Sequence, residues 1–425
     1  MTTTILIIVF VLGYLAIAFE HPLKLNKAAS ALITGVICWV IYTSQSHSTA
    51  NSGEELLAHL ADIASILFFL LGAMAIVELI DSHNGFDLIS QYITTTDTRK
   101  LLFIIVSVTF FLSALLDNLT TAIVMTSLCS RLLPDKQDRL WFAGMIVIAA
   151  NAGGAWSPLG DVTTTMLWIG GQISPWAIIK QLILPALMAC IVPLAMISFR
   201  FKGKRVNAIP ASVCSDIEKK EGRIILFCGS ALLVFVPVFK TITHLPPFMG
   251  MLLALGFMWV ITSFLHKDKE MDYASRFTVA RALQKVDTPS ILFFLGILLA
   301  VSALQASGIL KEVATGLNTS LKNDYLIGTS LGLLSSVVDN VPLVAAAQGM
   351  YDLSTYPADH HFWGFLALTT GTGGSAIIIG SAAGVAVMGI EQINFTWYIK
   401  KISWLALAGF SAGVLVFLLQ EKLGW

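Results

Sequence analysis

The chain is 425 residues long, with 56% apolar and only 12% charged residues, and its 26 basic and 26 acidic side chains give a formal net charge of zero. Soluble domains carry about a quarter charged residues, so the composition excludes an ordinary soluble protein and indicates a polytopic membrane protein in a lipid bilayer. The balanced charge predicts no nucleic-acid partner. The five cysteines lack Cys-x-x-Cys spacing, so we expect no disulfide framework, no zinc site and no cofactor.

Eight apolar runs approach the roughly 20 residues that a membrane-spanning helix needs. The first run has neither the basic start nor the small-residue cleavage site of a secretory signal, so we expect it to be a spanning helix. Together the runs predict an all-α fold. In chain order they cover 3–19, 27–43, 61–80, 176–200, 222–240, 247–265, 288–305 and 402–420.

Four further apolar segments are interrupted. Segments 101–133 and 325–350 have arms of about 16 residues or fewer, roughly 24 Å of helix, which is short of a roughly 30 Å hydrocarbon core. We expect both to be re-entrant hairpins whose tips stop near mid-membrane. Segments 140–171 and 362–390 are long enough to cross but should be broken helices. Their interruptions contain Gly153, Gly154, Pro158, Gly160, Gly371, Gly373 and Gly374.

The two halves of the chain repeat each other. The pair Asp117-Asn118 recurs in the second half as Asp339-Asn340, and the Asp-x-x-Ser-Ile-Leu-Phe-Phe-Leu string at Asp62 recurs, at nearly the same offset, at Asp287. Each half is predicted to contain five crossings and one hairpin, and an odd number of crossings inverts the second half relative to the first. We therefore expect inverted repeats over 1–200 and 222–425, joined by a cytoplasmic linker over 201–221.

The basic residues predict the orientation. If both termini are periplasmic, 21 of the 26 Lys and Arg residues fall in cytoplasmic loops, as the positive-inside rule requires. Hairpin one would then enter from the cytoplasm and hairpin two from the opposite face.

Three aspartates lie inside the interrupted segments: Asp117, Asp161 and Asp339. A carboxylate at bilayer depth is costly and marks a functional site by default. Irregular backbone survives there only when it is packed in protein or lines a cavity, so we expect the interruptions to bring the three acids to one cavity. Three carboxylates would repel an anion, whereas each can bind either a proton or a small cation. This competition is the minimal chemistry of cation/proton exchange.

Neutral oxygen ligands can come from the same segments. An alternative role for Asp117 and Asp339 is N-capping of the helices that follow, and the neighbouring asparagines can serve either purpose. The glycine pairs can equally serve close helix packing. Glu78 is a candidate proton relay, with an ordinary interfacial side chain as the alternative. The candidate neutral ligands are Asn118, Thr120, Thr121, Asn151, Ser157, Thr163, Asn340, Thr372 and Ser375.

These residues carry a family resemblance. The Asp-Asn hairpin tips, the Gly-Gly-Ala-Trp-Ser-Pro-Leu-Gly-Asp break at 153–161 and the Ser-Ile-Leu-Phe-Phe-Leu-Leu-Gly-Ala-Met run at 65–74 resemble the NhaD-type sodium/proton antiporters of the ion transporter superfamily over nearly the whole chain. The resemblance implies exchange of cytoplasmic Na⁺ or Li⁺ for external H⁺ across a bacterial inner membrane, and often a homodimer. In one departure, Pro342 replaces the hydroxyl that Thr120 supplies at the first tip, so the two halves are not expected to bind equivalently.

Three alternatives remain open at this point. An anion or metalloid carrier of the same superfamily, such as an arsenite exporter or a sodium-coupled dicarboxylate symporter, would be expected to lack buried acids at the tips. An intramembrane aspartyl protease is suggested by three fragments that resemble its Gly-x-Gly-Asp, Pro-Ala-Leu and Tyr-Asp signatures: Pro158-Leu-Gly160-Asp161, Pro185-Ala-Leu187 and Tyr351-Asp352. The first glycine is missing, however, and Tyr351-Asp352 lies in a loop, where it could not pair within the membrane. A passive channel would conduct without coupling. We expect a transporter and no enzyme.

Overall fold

The computed structural model describes residues 2–44, 49–86, 93, 95–205, 216–267, 269 and 277–424. Within these ranges the chain is almost entirely helical, and the only β feature is an isolated bridge between Asp97 and Arg205. The all-α class expected from the apolar runs is therefore confirmed. The predicted linker 201–221 lies partly outside the described residues, and Cys214 is among those left out.

Nine α-helices occupy the described part of the first half. They are α1 (Thr2–Ala18), α2 (Glu20–Leu23), α3 (Lys27–Thr43), α4 (Thr49–Ser82), α5 (Thr98–Leu116), α6 (Asn118–Leu132), α7 (Lys136–Gly154), α8 (Val162–Ile169) and α9 (Pro175–Ser198).

Eleven α-helices occupy the described part of the second half. They are α10 (Asp216–Thr243), α11 (Pro247–Leu265), α12 (Val279–Lys285), α13 (Thr288–Ala306), α14 (Ile309–Leu321), α15 (Asp324–Leu334), α16 (Asn340–Met350), α17 (His361–Gly373), α18 (Ala382–Glu391), α19 (Phe395–Lys401) and α20 (Ser403–Lys422).

Seven helices of the described residues are long and apolar enough to cross a membrane, and α1, α3 and α18 are shorter apolar helices. One of the seven, α5, is longer than the hairpin arm that the sequence predicts, since it has 19 residues. The side chain of Asp97 caps it by accepting hydrogen bonds from the backbone N–H groups of Arg99 and Lys100, at 2.9 and 3.1 Å, so the helix starts before the apolar run does. The seven are Ser52–Ser82, Thr98–Leu116, Pro175–Phe201, Lys220–Thr243, Pro247–Leu265, Thr288–Ala306 and Ser403–Lys422.

The helices α7 and α17 form the centre of the molecule. Every residue from Leu140 to Gly154 in α7 is buried, and so is every residue from Phe362 to Gly373 in α17. A helix that is apolar on all sides must be surrounded by protein or lipid, and here the surroundings are other helices. Both helices end at glycine-rich breaks, so the breaks lie deep inside the protein.

Close helix contacts recur in the two halves. A Cβ added at Gly153 of α7 would lie 2.2 Å from the carbonyl oxygen of Phe110 in α5, and one added at Gly373 of α17 would lie 2.0 Å from that of Gly332 in α15. The hydroxyl of Ser113 donates to the Ala150 carbonyl at 2.6 Å. Its counterpart in the second repeat, Ser335, donates in the same way to the Thr370 carbonyl at 2.8 Å. Each broken helix is thus held against its hairpin by backbone contact.

We expect Gly153→Ala to destabilise the protein. The added methyl group would overlap backbone that cannot rotate away, and overpacking of this kind costs about 1–3 kcal/mol. The measurement is the thermal midpoint of the purified protein in detergent, followed by size-exclusion chromatography after heating. Gly316→Ala in the exposed α14 is the matched control, because nothing lies within 4 Å of its added Cβ. That change should be neutral or stabilising by up to about 1 kcal/mol. Equal midpoints for both variants would contradict the assigned contact.

Candidate functional site

The first broken helix places a carboxylate at the start of α8. The chain leaves α7 at Gly154 and re-enters a helix at Val162, and Asp161 is the N-cap with φ −146° and ψ 145°. Its Oδ1 accepts hydrogen bonds from the backbone N–H and the hydroxyl of Thr163, both at 2.8 Å. The break turns so tightly that a Cβ on Gly160 would lie 2.7 Å from the Cα of Gly154, so glycine is required there.

The second broken helix repeats this geometry with a different side chain. The residue equivalent to Asp161 in the second half is Ser381, which is the N-cap of α18 with φ −144° and ψ 151°. Its hydroxyl oxygen accepts from the backbone N–H of Gly384 at 3.2 Å. The two halves therefore build the same backbone turn, but only the first supplies a negative charge.

Asp161 is almost completely buried, at 1% exposed. Besides Thr163, its carboxylate accepts a hydrogen bond from the side-chain amide of Asn118 at 2.6 Å. The amide of Asn340 donates to its two oxygens at 3.2 and 3.3 Å. One amide comes from each hairpin, so equivalent residues of the two repeats meet on a single carboxylate. Within the described part of the chain, no Lys, Arg or His forms an ion pair with Asp161.

Asn151 extends this group across the two halves. It is fully buried, and its Oδ1 accepts from the Asn118 amide at 3.1 Å. Its own amide donates to the hydroxyl oxygens of Ser375 and Ser381, each at 2.9 Å. We call these seven residues the central polar cluster: Asn118, Asn151, Asp161, Thr163, Asn340, Ser375 and Ser381.

The two tip aspartates point elsewhere. Asp117 caps α6 by accepting from the backbone N–H and the hydroxyl of Thr120, both at 2.8 Å. It lines a cavity of about 20 Å³ whose other walls are mostly apolar. Asp339 caps α16 through the Val341 backbone N–H at 3.3 Å and lines a different cavity, of about 60 Å³. The tip amides, and not the tip carboxylates, hydrogen-bond to Asp161, and the joint use of the three acids stays a prediction.

The backbone differs between the two tips as well. Asp117 has φ +81° and ψ 158°, whereas Asp339 has φ −50° and ψ 140°. A residue other than glycine rarely adopts the first conformation, and such strain persists mainly at functional sites. The two tips thus differ in their hydroxyl contacts and in their backbone conformation, and unequal binding by the two halves stays a prediction.

The remaining hydroxyl candidates differ in whether their hydroxyl group already has a hydrogen-bond partner. The hydroxyls of Ser157 and Thr372 donate to backbone carbonyls, of Ala114 and Leu368, each at 2.6 Å. Thr121 is fully buried, and its hydroxyl has no hydrogen-bond partner among the described residues. The structure therefore leaves Ser157 and Thr372 outside the central polar cluster.

Two of the residues in the predicted breaks have ordinary surroundings. A Cβ on Gly371 would make only normal van der Waals contacts, and the carbonyl of Pro158 accepts a hydrogen bond from the Thr165 hydroxyl at 2.8 Å.

Sequence reasoning missed Ser381 as a member of the cluster. The available signal was its offset from Asp161, which is the offset that relates the glycine pair at Gly153 to the pair at Gly373. Sequence reasoning also missed Tyr14, whose hydroxyl accepts a hydrogen bond from the backbone N–H of Asp339 at 3.0 Å. Nothing in the local sequence indicates that contact, because it joins the first helix of the chain to the second hairpin.

Glu78 lies beside the first tip but outside the cluster. Its carboxylate is ion-paired with Lys285 at 2.8 Å and accepts from the Ser82 hydroxyl at 3.1 Å. Together with Thr120 and Asp287 it lines a cavity of about 150 Å³. Asp287 is the first residue of the second half's copy of the repeated Asp-x-x-Ser motif.

A larger polar cavity, of about 380 Å³, contains the first half's copy of that motif. It is lined by Asp62 and His59, by the end of α8, and by Ser302, Gln305 and Gln348. The 380 Å³ and 150 Å³ cavities are thus built from equivalent parts of the two repeats: one motif aspartate, the C-terminal part of α4 or α13, and the second hairpin helix, α6 or α16.

A helical fold with two broken helices around a buried carboxylate is typical of multi-pass membrane transporters. Comparison with known proteins specifies the family. A family model described as a citrate transporter matches residues 5–371. The chain belongs to the ion transporter superfamily as an NhaD-type member, since relatives with that name are 30% identical or more over nearly its whole length.

A further relative, the sodium/proton antiporter 1 of Arabidopsis thaliana, is 46% identical over 98% of this chain and 72% of its own length. The Na⁺/H⁺ antiporter NhaD of Vibrio cholerae is 30% identical over 97% of this chain and 91% of its own. Among solved structures, the YdaH transporter of Alcanivorax borkumensis aligns with a TM-score of 0.60, over 93% of this chain and 99% of that one, at 11% identity. This likeness shows a shared fold. The expected family, the all-α membrane class and the absence of an enzymatic role are confirmed.

Proposed function

We propose that this protein is a secondary active transporter that exchanges cytoplasmic Na⁺ or Li⁺ for external H⁺ by alternating access. The observation that carries the proposal is the state of Asp161, which is buried and surrounded by neutral donors, with no ion pair to a described basic residue. An isolated buried carboxylate is costly unless a proton or a cation neutralises it. The names of the relatives, sodium/proton antiporters, agree with this chemistry.

The hydrogen bonds suggest how the two ions compete. In the described arrangement the amides of Asn118 and Asn340 donate to Asp161, which satisfies the carboxylate without a cation. Rotation of either amide by half a turn would present its carbonyl oxygen instead. The same side chains can therefore serve as donors to an empty carboxylate and as ligands to a bound alkali ion, with Thr163 and the serine hydroxyls adding neutral oxygens.

Two access routes fit this site. We infer that the halves are inverted repeats, with Asp117 at the tip of the first hairpin and Asp339 at the tip of the second, and that they present the 150 Å³ and 380 Å³ cavities to opposite faces of the membrane. Glu78 would then lie on the cytoplasmic route to Asp117. The charge distribution supports periplasmic termini, and the resemblance to bacterial NhaD antiporters suggests a bacterial inner membrane location. A homodimer is expected from the family resemblance alone.

The test is proton flux in proteoliposomes whose interior is more acidic than the external buffer. A pH-sensitive dye follows the gradient after a salt is added outside. We expect Na⁺ and Li⁺ to dissipate the gradient and choline to leave it intact. Failure of both alkali ions across the alkaline range would exclude the proposal. Conduction of Na⁺ without proton counterflow would indicate a passive channel.

A carboxylate carrier is the second candidate, because the family model is described as a citrate transporter. Such a carrier would have to bind an anion close to the negative charge of the buried Asp161. The central polar cluster contains no basic residue that would offset the repulsion. Uptake of radiolabelled citrate or succinate in the same proteoliposomes, without alkali-dependent proton movement, would favour it over antiport.

A further inference from the structure

The 60 Å³ cavity beside Asp339 contains a basic side chain that the proposed exchange does not use. Its walls include Asp339, Ser381 of the central polar cluster, Tyr14, Glu20 and Lys27. The second tip, one member of the cluster, one lysine and one glutamate therefore line a single cavity. A basic residue on a cation route repels the cargo, so its presence needs a physical reason.

The placement of Lys27 in its helix is unfavourable by itself. Asn26 caps α3 through the Ala28 backbone N–H at 2.8 Å, which makes Lys27 the first helical residue. The helix dipole disfavours a positive charge in the first turn. The equivalent residue of the second half, Pro247, is likewise first in its helix, α11, and is uncharged. The lysine is thus an addition to the repeat on the Asp339 side only.

The ammonium group is held by an aromatic ring. Lys27 is half-buried, and its Nζ lies 4.7 Å from the ring centroid of Phe293, a buried residue of α13 that lines the same cavity. Cation–π contacts of this kind contribute about 0.5–2 kcal/mol, so the ring can hold the ammonium without trapping it. In the described conformation Lys27 forms no ion pair with a described carboxylate, although Asp339 and Glu20 line the same cavity.

The carboxylate of Asp339 accepts fewer hydrogen bonds from neighbouring residues than that of Asp117 does. Asp117 receives the Thr120 hydroxyl in addition to backbone donation, whereas Asp339 has Pro342 at the matching position and accepts one 3.3 Å bond from the Val341 backbone. The walls of the small cavity beside Asp117 contain no basic residue among those described. Of the two cavities that a tip carboxylate lines, only the one in the half that lost its hydroxyl is also lined by a lysine.

We propose that Lys27 is the resident counter-cation of Asp339. Its flexible ammonium alternates between the Phe293 ring and the carboxylate, neutralises Asp339 when no transported cation is present, and must be displaced by Na⁺ or Li⁺. Lys27 is a positioning residue in this role, and it sets the apparent cation affinity of the Asp339 side. The proposal rests on the proposed exchange function and deepens it, since it assigns the two tips different tasks.

The test compares Lys27→Met, Lys27→Arg and Lys24→Met in proteoliposomes at alkaline pH, where protons compete least. Removal of a competing charge several ångströms away should lower the apparent KM for Na⁺ about tenfold in Lys27→Met, without a matching rise in kcat. Lys27→Arg keeps the charge and should retain the wild-type KM. Lys24→Met removes the same charge from the same connection, at an exposed residue that does not line the cavity, and should also match wild type.

The possible results distinguish a failure of the proposed exchange function from a failure of the counter-cation role of Lys27. Wild-type protein that shows no alkali-dependent proton flux would overturn the proposed function. Wild-type exchange together with an unchanged KM in Lys27→Met, or with equal shifts in both lysine variants, would overturn the counter-cation role alone. If Lys27→Met fails to insert, Lys27→Gln replaces it. A second readout is Na⁺-induced thermal stabilisation of purified protein: the effect of Lys27→Met should disappear in an Asp339→Asn background.

Discussion

Asp161→Asn is expected to abolish Na⁺-dependent and Li⁺-dependent proton flux while leaving the protein folded and inserted. The amide removes the charge of the central polar cluster, and loss of a carboxylate–cation attraction of about 3 kcal/mol lowers exchange about 100-fold or more. The fold should survive because an Asn side-chain oxygen can accept the same 2.8 Å bond from the Thr163 backbone that now caps α8, and Asn is as good an N-cap as Asp.

The matched control is Asp352→Asn. Asp352 follows α16 in an exposed turn, and hydrogen bonds from Ser354 and Thr355 lower its pKa to about 2. It is therefore ionised throughout the working pH range, so its replacement removes the same charge from the surface. Thermal midpoints in detergent and flux in proteoliposomes should be measured for both variants. Wild-type flux in Asp161→Asn, at normal expression, would remove this carboxylate from the transport site.

The two tip asparagines should differ in importance, although the repeat makes them equivalent in sequence. Asn118 donates to Asp161 at 2.6 Å and also to Asn151 at 3.1 Å, whereas Asn340 makes only the longer contacts to Asp161. A hydrogen bond to a charged group contributes about 1.5–3 kcal/mol. We therefore expect Asn118→Ala to raise the apparent KM for Na⁺ at least about tenfold, and Asn340→Ala to raise it less.

Asn323→Ala is the control for this comparison. Asn323 is an N-cap at the start of α15, where its side chain accepts from the backbone N–H groups of Tyr325 and Leu326, so its loss should cost stability of about 1 kcal/mol and leave KM unchanged. Equal KM values for Asn118→Ala and Asn340→Ala would show that the shorter contact carries no extra weight. A shift in the control would show that KM reports stability instead of binding.

The two breaks differ in charge, and electrostatics gives a physical reason why only one of them carries a carboxylate. Both breaks form the same backbone turn, but the first ends in Asp161 and the second in Ser381. A second carboxylate at Ser381 would lie within reach of the same Asn151 amide, and two uncompensated buried charges would repel each other. The central polar cluster therefore contains one carboxylate, which hydrogen-bonds to an asparagine of each hairpin.

Much of the architecture could be predicted from the chain itself. Because lipid satisfies no backbone polar group, apolar runs of sufficient length and their interruptions are readable without any tertiary information, and the all-α class and family were confirmed. The sequence predicts the start of α5 less well, because hydropathy marks only the apolar run from residue 101 and the capping residue Asp97 lies before that run. The roles of the site residues stay predictions.

What the sequence by itself determined is which polar residues and glycines interrupt the apolar segments: each aspartate, asparagine and glycine break follows from local pattern and the offset repeat. Only the tertiary structure decided which atoms face one another. The tip amides of Asn118 and Asn340 converge on Asp161 while the tip carboxylates turn to separate cavities, and Lys27 reaches a ring on α13. Such contacts join residues far apart in the chain, and their geometry depends on helix packing angles and side-chain rotamers that no local pattern encodes.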